Sequence, residues 1–380
     1  MIALTGARVF DGTRLLEGHA VVIDGARVAA IVRDADVPAG ARRRRVGGLI
    51  APGFIDIQVN GGGGVLFNDA PTVEGISAIG AAHRAFGTIG FLPTFISDTR
   101  ETMAEAIAAA RAAIAAKTPG VLGIHLEGPF INRERRGAHD ERLIRRIDDA
   151  DVALLSTATG GKILVTLAPE YVPPETIRKL VAAGVIVSAG HTTADVETIA
   201  AARAAGLTGF THLFNAMPPL AGRAPGPVGA ALDDADAWVS LIVDMHHVSA
   251  TSLRVALAAR GWQRTMLITD AMPSVGTTRD TFTLHGRPVH LREGRLTTAD
   301  GTLAGAHLDM ATAVRNAVSA LGLPLEAALH MASRAPAQFL GLGHRLGRIA
   351  PGHAASLVNL DDDLGVIETW IDGVSSADTD

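Results

Sequence analysis

From Leu49 onward, apolar runs of strand length alternate with alanine-rich stretches of helical period. The runs fall at 53–58, 90–95, 121–127, 163–168, 185–190, 209–213, 238–243 and 265–270. Helical patterns at 72–86, 101–116, 175–183, 193–205 and 249–259 lie between most of them. Short apolar runs bounded by turn residues suit strands buried on both faces. Eight such units over about 220 residues predict an α/β chain folded as a (β/α)8 TIM-like barrel. An open doubly wound sheet has the same periodicity, but no Gly-x-Gly-x-x-Gly turn opens a helix after an early strand. Gly61–Gly64 leads into Val65-Leu66-Phe67 and reads as a mobile turn.

The two ends of the chain have a different rhythm. Asp11-Gly12 and Asp24-Gly25 punctuate short β-rich runs before residue 49, and Pro351-Gly352 and Asp372-Gly373 do so after 346. The expectation is a small accessory β-sandwich built from 1–48 plus 346–380, beside a barrel unit spanning 49–345. A further hairpin-like patch at 280–305 precedes helical sequence at 308–321 and 324–339.

Charge and cysteine content remove several function classes. A net charge of −5 gives no electrostatic footprint for nucleic acid, and Arg42–Arg45 reads as a solvated connector. With no cysteine, disulfides, thiolate chemistry and Cys-based metal sites are excluded. No apolar run approaches the roughly 18 residues of a membrane span, and the N-terminus lacks a charged segment followed by an apolar one. A cytoplasmic enzyme without membrane contact is expected.

The chemistry collects at strand ends. In Gly123-Ile124-His125-Leu126-Glu127-Gly128-Pro129-Phe130 an apolar strand delivers a carboxylate to its C-terminal end. Burying that charge is costly unless a cation or strong donors meet it. Gln58 and Asn60 end the first strand, His191 the fifth, His212 the sixth and Asp270 the eighth. Barrel strands point such residues into the mouth where catalysis occurs. Each alone has a structural reading: a hydrogen-bonded histidine, or a carboxylate capping the next segment. Together, Glu127, His191 and His212 make the two-imidazole, one-carboxylate set of a catalytic metal site with an open position. His125, on the same strand face as Glu127, is read as supporting the site from beside it.

These stretches carry a resemblance. Pro52–Gly61, His125–Phe130, Gly137-Ala138-His139, Ala189–Thr192, Thr211–Met217, Gly222-Arg223, Thr269–Ala271 and Leu303–Gly305 resemble the N-acetylglucosamine-6-phosphate deacetylases of the amidohydrolase superfamily. The resemblance implies metal ligation by Glu127, His191 and His212, with Asp270 as catalytic carboxylate and His139 as its electrophilic partner. It further implies substrate contacts from Gln58, Asn60, Ala138, His139, Asn215, Ala216, Arg223, His247 and the Leu303-Ala304-Gly305 backbone. One divalent transition metal per subunit is implied, zinc first, with iron, cobalt or manganese as alternatives. The substrate would be a phosphorylated amino sugar, and the active form a homodimer with Arg223 or His247 reaching the neighbouring site. Gln58-Val59-Asn60 stands where many superfamily members carry His-x-His for a second metal, which argues against cyclic-amide hydrolases. The family's usual Asp-Gly-x-His reads Asp244-Met245-His246-His247, and Pro218-Pro219-Leu220 follows Met217. Met245 keeps an N-acetylgalactosamine 6-phosphate or other N-acyl substrate in contention. The intact polar set disfavours a barrel retained only for binding.

Overall fold

The computed structural model describes residues 1–378. Eight parallel strands form its central sheet: β1 Phe54–Val59, β2 Thr88–Ile96, β3 Gly123–Glu127, β4 Lys162–Leu167, β5 Ile186–Ala189, β6 Gly209–Phe210, β7 Trp238–Ile242 and β8 Thr265–Ile268. Each pairs with its sequence neighbour. The sheet closes where Val59 bridges Ala271 and the Asp270 N–H donates to the Gln58 carbonyl at 3.0 Å. The runs are largely apolar, with no regular polar alternation, because these strands are covered on both faces: every residue of β1, β2 and β3 is buried.

Seven helices follow the first seven strands: α1 Val73–Arg84, α2 Arg100–Ala115, α3 Asp149–Leu155, α4 Pro174–Ala182, α5 Val196–Ala204, α6 Gly226–Asp233 and α7 Ala250–Arg260. Side-chain oxygens of Thr72, Thr99, Asp148, Asp195 and Ser249 cap the starts of five of them. Two helices, α3 and α6, fall where no helical period was read. α3 is a short acidic segment held by an Asp148–Asp151 capping box. α6 opens on Gly226-Pro227 and contains Gly229, so local propensity hides it. The stretch read as one helix at 324–339 is two, α9 Leu325–Ala332 and α10 Arg334–Phe339, following α8 Met310–Ser319. The break lies at Ser333, whose backbone leaves the helical region.

Both ends of the chain contribute to sheets beside the barrel. Leu357–Leu360 pairs with Leu49–Pro52 in a six-stranded sheet that also holds Arg8–Phe10 and Val366–Ile371. A four-stranded sheet contains Ile2–Thr5, His19–Asp24, Arg27–Arg33 and Arg42–Arg45. Leu4, Val9, Val21, Ile50, Leu357 and Trp370 share one apolar cluster. Arg42–Arg45 is therefore an edge strand, paired in parallel with Ile2–Thr5, rather than a connector. Its charges suit an edge, where they discourage further pairing, and Arg44 bonds Glu368 at 2.8 Å. The Gly61–Gly64 segment is likewise ordered: Gly61–Gly62 forms a two-stranded ribbon with Val65–Leu66. A side chain at Gly61 would collide with the Val65 carbonyl and Pro273, so close backbone approach explains the glycine. The patch at 280–305 is a three-stranded antiparallel sheet, Thr281–Leu284, Arg287–Arg292 and Arg295–Thr298, and it lies over the barrel mouth.

Candidate active site

His191, His212 and Asp270 each sit two residues past the end of their strands, β5, β6 and β8. All three have left-handed backbone, with φ of 49°, 36° and 52°. This conformation costs a non-glycine residue roughly 1–2 kcal/mol and persists only where surrounding structure enforces it, commonly at functional sites. Here the enforcement includes His212 N–H donating to Ser240 Oγ at 2.8 Å, and Asn132 N–H donating to the His191 carbonyl at 2.9 Å.

Their side chains meet Glu127, at the end of β3. His191 Nε2 lies 3.1 Å and His212 Nε2 2.9 Å from Glu127 Oε1, and the two nitrogens are 3.1 Å apart. His191 Nδ1 faces the Arg135 carbonyl at 2.7 Å. A carbonyl can only accept, so Nδ1 carries the proton and a neutral ring offers its Nε2 lone pair to the centre. Burial works against ionising Glu127, but the two imidazoles outweigh it and hold the carboxyl well below its usual range. Glu127 also draws His212 upward against the burial of that ring. Two imidazole nitrogens and a carboxylate oxygen converging on one point are a donor set that fits a divalent transition ion.

His139 lies close enough to be counted with them: Glu127, His139 and His191 offer ligand atoms within 4.8 Å of one another. Its surroundings favour a different role. Ser97 N–H points at His139 Nδ1 at 3.4 Å, with Ser97 Oγ at 2.8 Å. An N–H can only donate, so Nδ1 accepts and the proton of the neutral ring resides on Nε2. Burial, then the neighbouring His191, push His139 down to about 3, so the ring is neutral near pH 7. It is built as a hydrogen-bond donor. His125 is a member of a hydroxyl network instead: its Nε2 faces Thr166 Oγ1 at 2.8 Å and its Nδ1 faces Thr94 Oγ1 at 3.4 Å.

Asp270 Oδ1 accepts from Asn60 Nδ2 at 2.6 Å and from Gln58 Nε2 at 3.1 Å. The same Gln58 Nε2 donates to Glu127 Oε1 at 3.1 Å, so one amide links the two carboxyl groups. Burial and then the charge of Glu127 push Asp270 up to about 6. That places it near the value that suits proton transfer at neutral pH.

These groups open into a cavity of about 500 Å3. Asn60, Ala138, His139, Asn215, Ala216, His247, Leu303, Ala304 and Gly305 line it together with Glu127, His191, His212 and Asp270. Leu284 of the three-stranded sheet forms part of the roof, and Arg287 of that sheet donates to the Ala138 carbonyl at 2.5 Å. His247 Nδ1 faces Asp244 Oδ2 at 2.6 Å, and Asp244 Oδ1 accepts from the backbone N–H of His246 and His247. Burial raises Asp244, but the bond and charge of His247 prevail and hold it below its ordinary value. Arg223 stands apart: it is exposed on the 221–224 segment and does not line the cavity of its own chain.

A model of the amidohydrolase family matches residues 49–375, and a NagA composite domain matches 1–50. The chain belongs to the amidohydrolase family. Members of that family depend on metal ions. Among curated relatives, an N-acetylgalactosamine-6-phosphate deacetylase of Shewanella sp. (strain ANA-3) is 41% identical over 98% of this chain and 95% of its own. The crystal structure of N-acetylglucosamine-6-phosphate deacetylase from Pasteurella multocida superposes with a TM-score of 0.95 at 35% identity, covering 99% of both chains. The Mycobacterium smegmatis N-acetyl-D-glucosamine-6-phosphate deacetylase, solved as an aspartate-to-alanine mutant in complex with N-acetyl-D-glucosamine-6-phosphate, gives 0.92 at 34% identity over 98% of both chains. Among the described residues no helix is long and apolar enough to cross a membrane.

Several residues around the site were not singled out from sequence. Asp56 lies two residues before Gln58 on β1, and the period of two could have found it. Thr94, Thr166 and Ser97 carry no such signal, nor does the Arg135 carbonyl, because main-chain partners are invisible to residue type.

Proposed function

We propose that the protein hydrolyses the acetamide of N-acetyl-D-glucosamine 6-phosphate, releasing acetate and glucosamine 6-phosphate. The observation carrying this reading is the convergence of Glu127 Oε1, His191 Nε2 and His212 Nε2 in a cavity that the Asp270 carboxyl also faces. Glu127, His191 and His212 would hold one divalent transition ion, zinc in the first place and iron, cobalt or manganese as alternatives. When bound, such an ion acidifies water and polarises a carbonyl oxygen.

The rest of the chemistry belongs to the chain. Asp270, oriented by Asn60 and Gln58, accepts a proton from the attacking water. It returns that proton to the departing nitrogen, since an amine anion is too poor a leaving group. His139 donates its Nε2 proton in a hydrogen bond to the carbonyl oxygen as charge develops there. Ala138, Asn215, Ala216 and the Leu303-Ala304-Gly305 backbone shape the sugar subsite. His247 and Arg223 bind the phosphate, for which a guanidinium fork is well suited. Because Arg223 does not line the cavity of its own chain, the reading includes a homodimer in which it serves the neighbouring site. The phosphate of the substrate, nearly doubly charged at pH 7, bars passive entry through a bilayer and supports a cytoplasmic setting.

A second reading is the C4 epimer, N-acetylgalactosamine 6-phosphate, favoured by the 41% identity to the Shewanella protein of that name and by Met245. Acetate release from N-acetylglucosamine and N-acetylgalactosamine, each with and without 6-phosphate, tests both. Faster turnover of the phosphorylated gluco sugar supports the first reading, and preference for the galacto epimer replaces it with the second. Indifference to the phosphate would sink both.

A further inference from the structure

Resting on the metal-site reading above, we infer that Glu170 is a positioning residue for the ligand His191. Glu170 lies just past β4, between the loops that follow β3 and β5. Its carboxylate joins those loops. Oε1 accepts from Asn132 Nδ2 at 2.9 Å in the first loop, and from Thr193 N–H at 2.7 Å and Thr193 Oγ1 at 3.2 Å in the second. Oε2 accepts from Thr192 Oγ1 at 2.5 Å.

Both connections lead to His191. Thr192 and Thr193 are the residues after it, so the second loop sets where its backbone, left-handed at φ 49°, leaves the strand. In the first loop, Asn132 N–H donates to the His191 carbonyl at 2.9 Å. The Asn132 side chain and main chain accept from Glu134 N–H and Arg135 N–H at 2.9 and 3.0 Å. Those bonds place the Arg135 carbonyl, which holds the Nδ1 proton of His191 and thereby turns the Nε2 lone pair toward Glu127. Glu170 touches neither the cavity nor the converging donors, yet it fixes the orientation and tautomer of one of them. Partners one step removed from a metal typically change its affinity 10–100-fold when lost.

Glu170→Ala leaves the Thr193 N–H without its acceptor and the Asn132 amide with only Thr193 Oγ1, at 2.9 Å, to join the two loops. Glu170→Gln keeps an oxygen at the Oε1 position, and its amide can donate to the Thr192 hydroxyl, so it serves as the rescue. Metal-free proteins would be titrated with zinc against a chromophoric chelator and, separately, loaded with Co(II) for the visible spectrum. Expected is a zinc Kd raised about 10–100-fold in Glu170→Ala with an altered cobalt spectrum, and recovery to within about threefold in Glu170→Gln. A zinc Kd equal to wild type, or an unchanged cobalt spectrum accompanied only by a lower Tm, overturns the proposal. If Glu170→Ala does not fold, Asn132→Ala breaks the same connection from the other loop. The same rise in Kd then supports the proposal, and a wild-type Kd refutes it. The underlying site reading is tested separately by wild type and His191→Ala. Wild type that binds no stoichiometric zinc, or His191→Ala that binds it equally well, defeats that reading whatever Glu170 does.

Discussion

Asp270 and Asp56 are both pushed upward by burial, but only Asp270 is given a proton to carry in the proposed reaction. Asp270 faces the cavity and accepts from Asn60 and Gln58. Asn at 270 preserves shape and can keep its oxygen toward those donors, but it cannot take a proton. Asp270→Asn should therefore lower kcat by about 10²–10⁴-fold with metal content unchanged. Loss of metal in step with activity would show that Asp270 acts as a ligand instead. Asp56 is sealed inside the barrel, accepting from Thr269 Oγ1 at 2.5 Å and from the backbone N–H groups of Gln58 and Thr269. Burial carries it to about 7, against those bonds and with a smaller push from Asp270. Between the ordinary value of 3.8 and about 7, the folded protein holds a proton that the unfolded chain has released. Stability contributed by this group is thus fully present below that window and falls as pH rises through it, by at most about 1.4 kcal/mol per pH unit. Above pH 7 the full cost remains. Asp56→Asn imitates the protonated form. Metal-free wild type and variant should melt close together near pH 4, below most of this window, and wild type should fall progressively behind as pH rises to 7 and stay behind at pH 8. Parallel Tm profiles across this range would rule out the buried proton.

The end of α2 permits a test at the level of a single element. Ala116 is its C-cap, Thr118 N–H donates to the Ala113 carbonyl at 2.9 Å, and Lys117 N–H donates to the Ile114 carbonyl at 3.0 Å. This is the Schellman pattern, and its left-handed position, usually glycine, is held by Lys117 at φ 57°. Lys117 is exposed, so its replacement sacrifices little packing. Lys117→Gly should stabilise the fold by roughly 0.5–1 kcal/mol, after discounting the extra entropy of glycine in the unfolded chain. A lower midpoint in urea would contradict this expectation. Elements of this kind also mark how far the sequence could be read. The eight barrel strands were legible because their apolar runs end within a few residues of turn signals, as at Gly190 and Gly128. His191, His212 and Asp270 were legible because each is a polar residue closing such a run. The caps that define α3, the glycines inside α6 and the break at Ser333 were not, since tertiary contacts and side-chain capping settle them against weak local propensity. The connection from Glu170 through Asn132 to the Arg135 carbonyl was illegible for a different reason. Two of its links are backbone atoms, which every residue possesses.

The proposed homodimer decides where Arg223 would act. Within one chain it is an exposed cation on the 221–224 segment, while the cavity it would serve already holds His247, paired with Asp244. Two-fold symmetry would bring one chain's 221–224 segment to the other's cavity and the reverse, because an isologous contact is reciprocal. Each complete site would then consist of Asp270 from one subunit and Arg223 from its partner. Arg223→Ala alone should raise KM for the phosphorylated sugar far more than it lowers kcat, since the phosphate lies away from the scissile bond. The unphosphorylated sugar should be nearly indifferent to the change. Mixing Arg223→Ala with the nearly inactive Asp270→Asn, under conditions that exchange subunits, provides a sharper test. In an equimolar mixture half of the randomly formed dimers are mixed, and in each of these one of the two sites combines an intact Asp270 with an intact Arg223. About a quarter of all sites should therefore regain wild-type KM. If Arg223 instead folds over the cavity of its own chain, every site in the mixture carries one lesion, and activity stays at the average of the two parents at every mixing ratio.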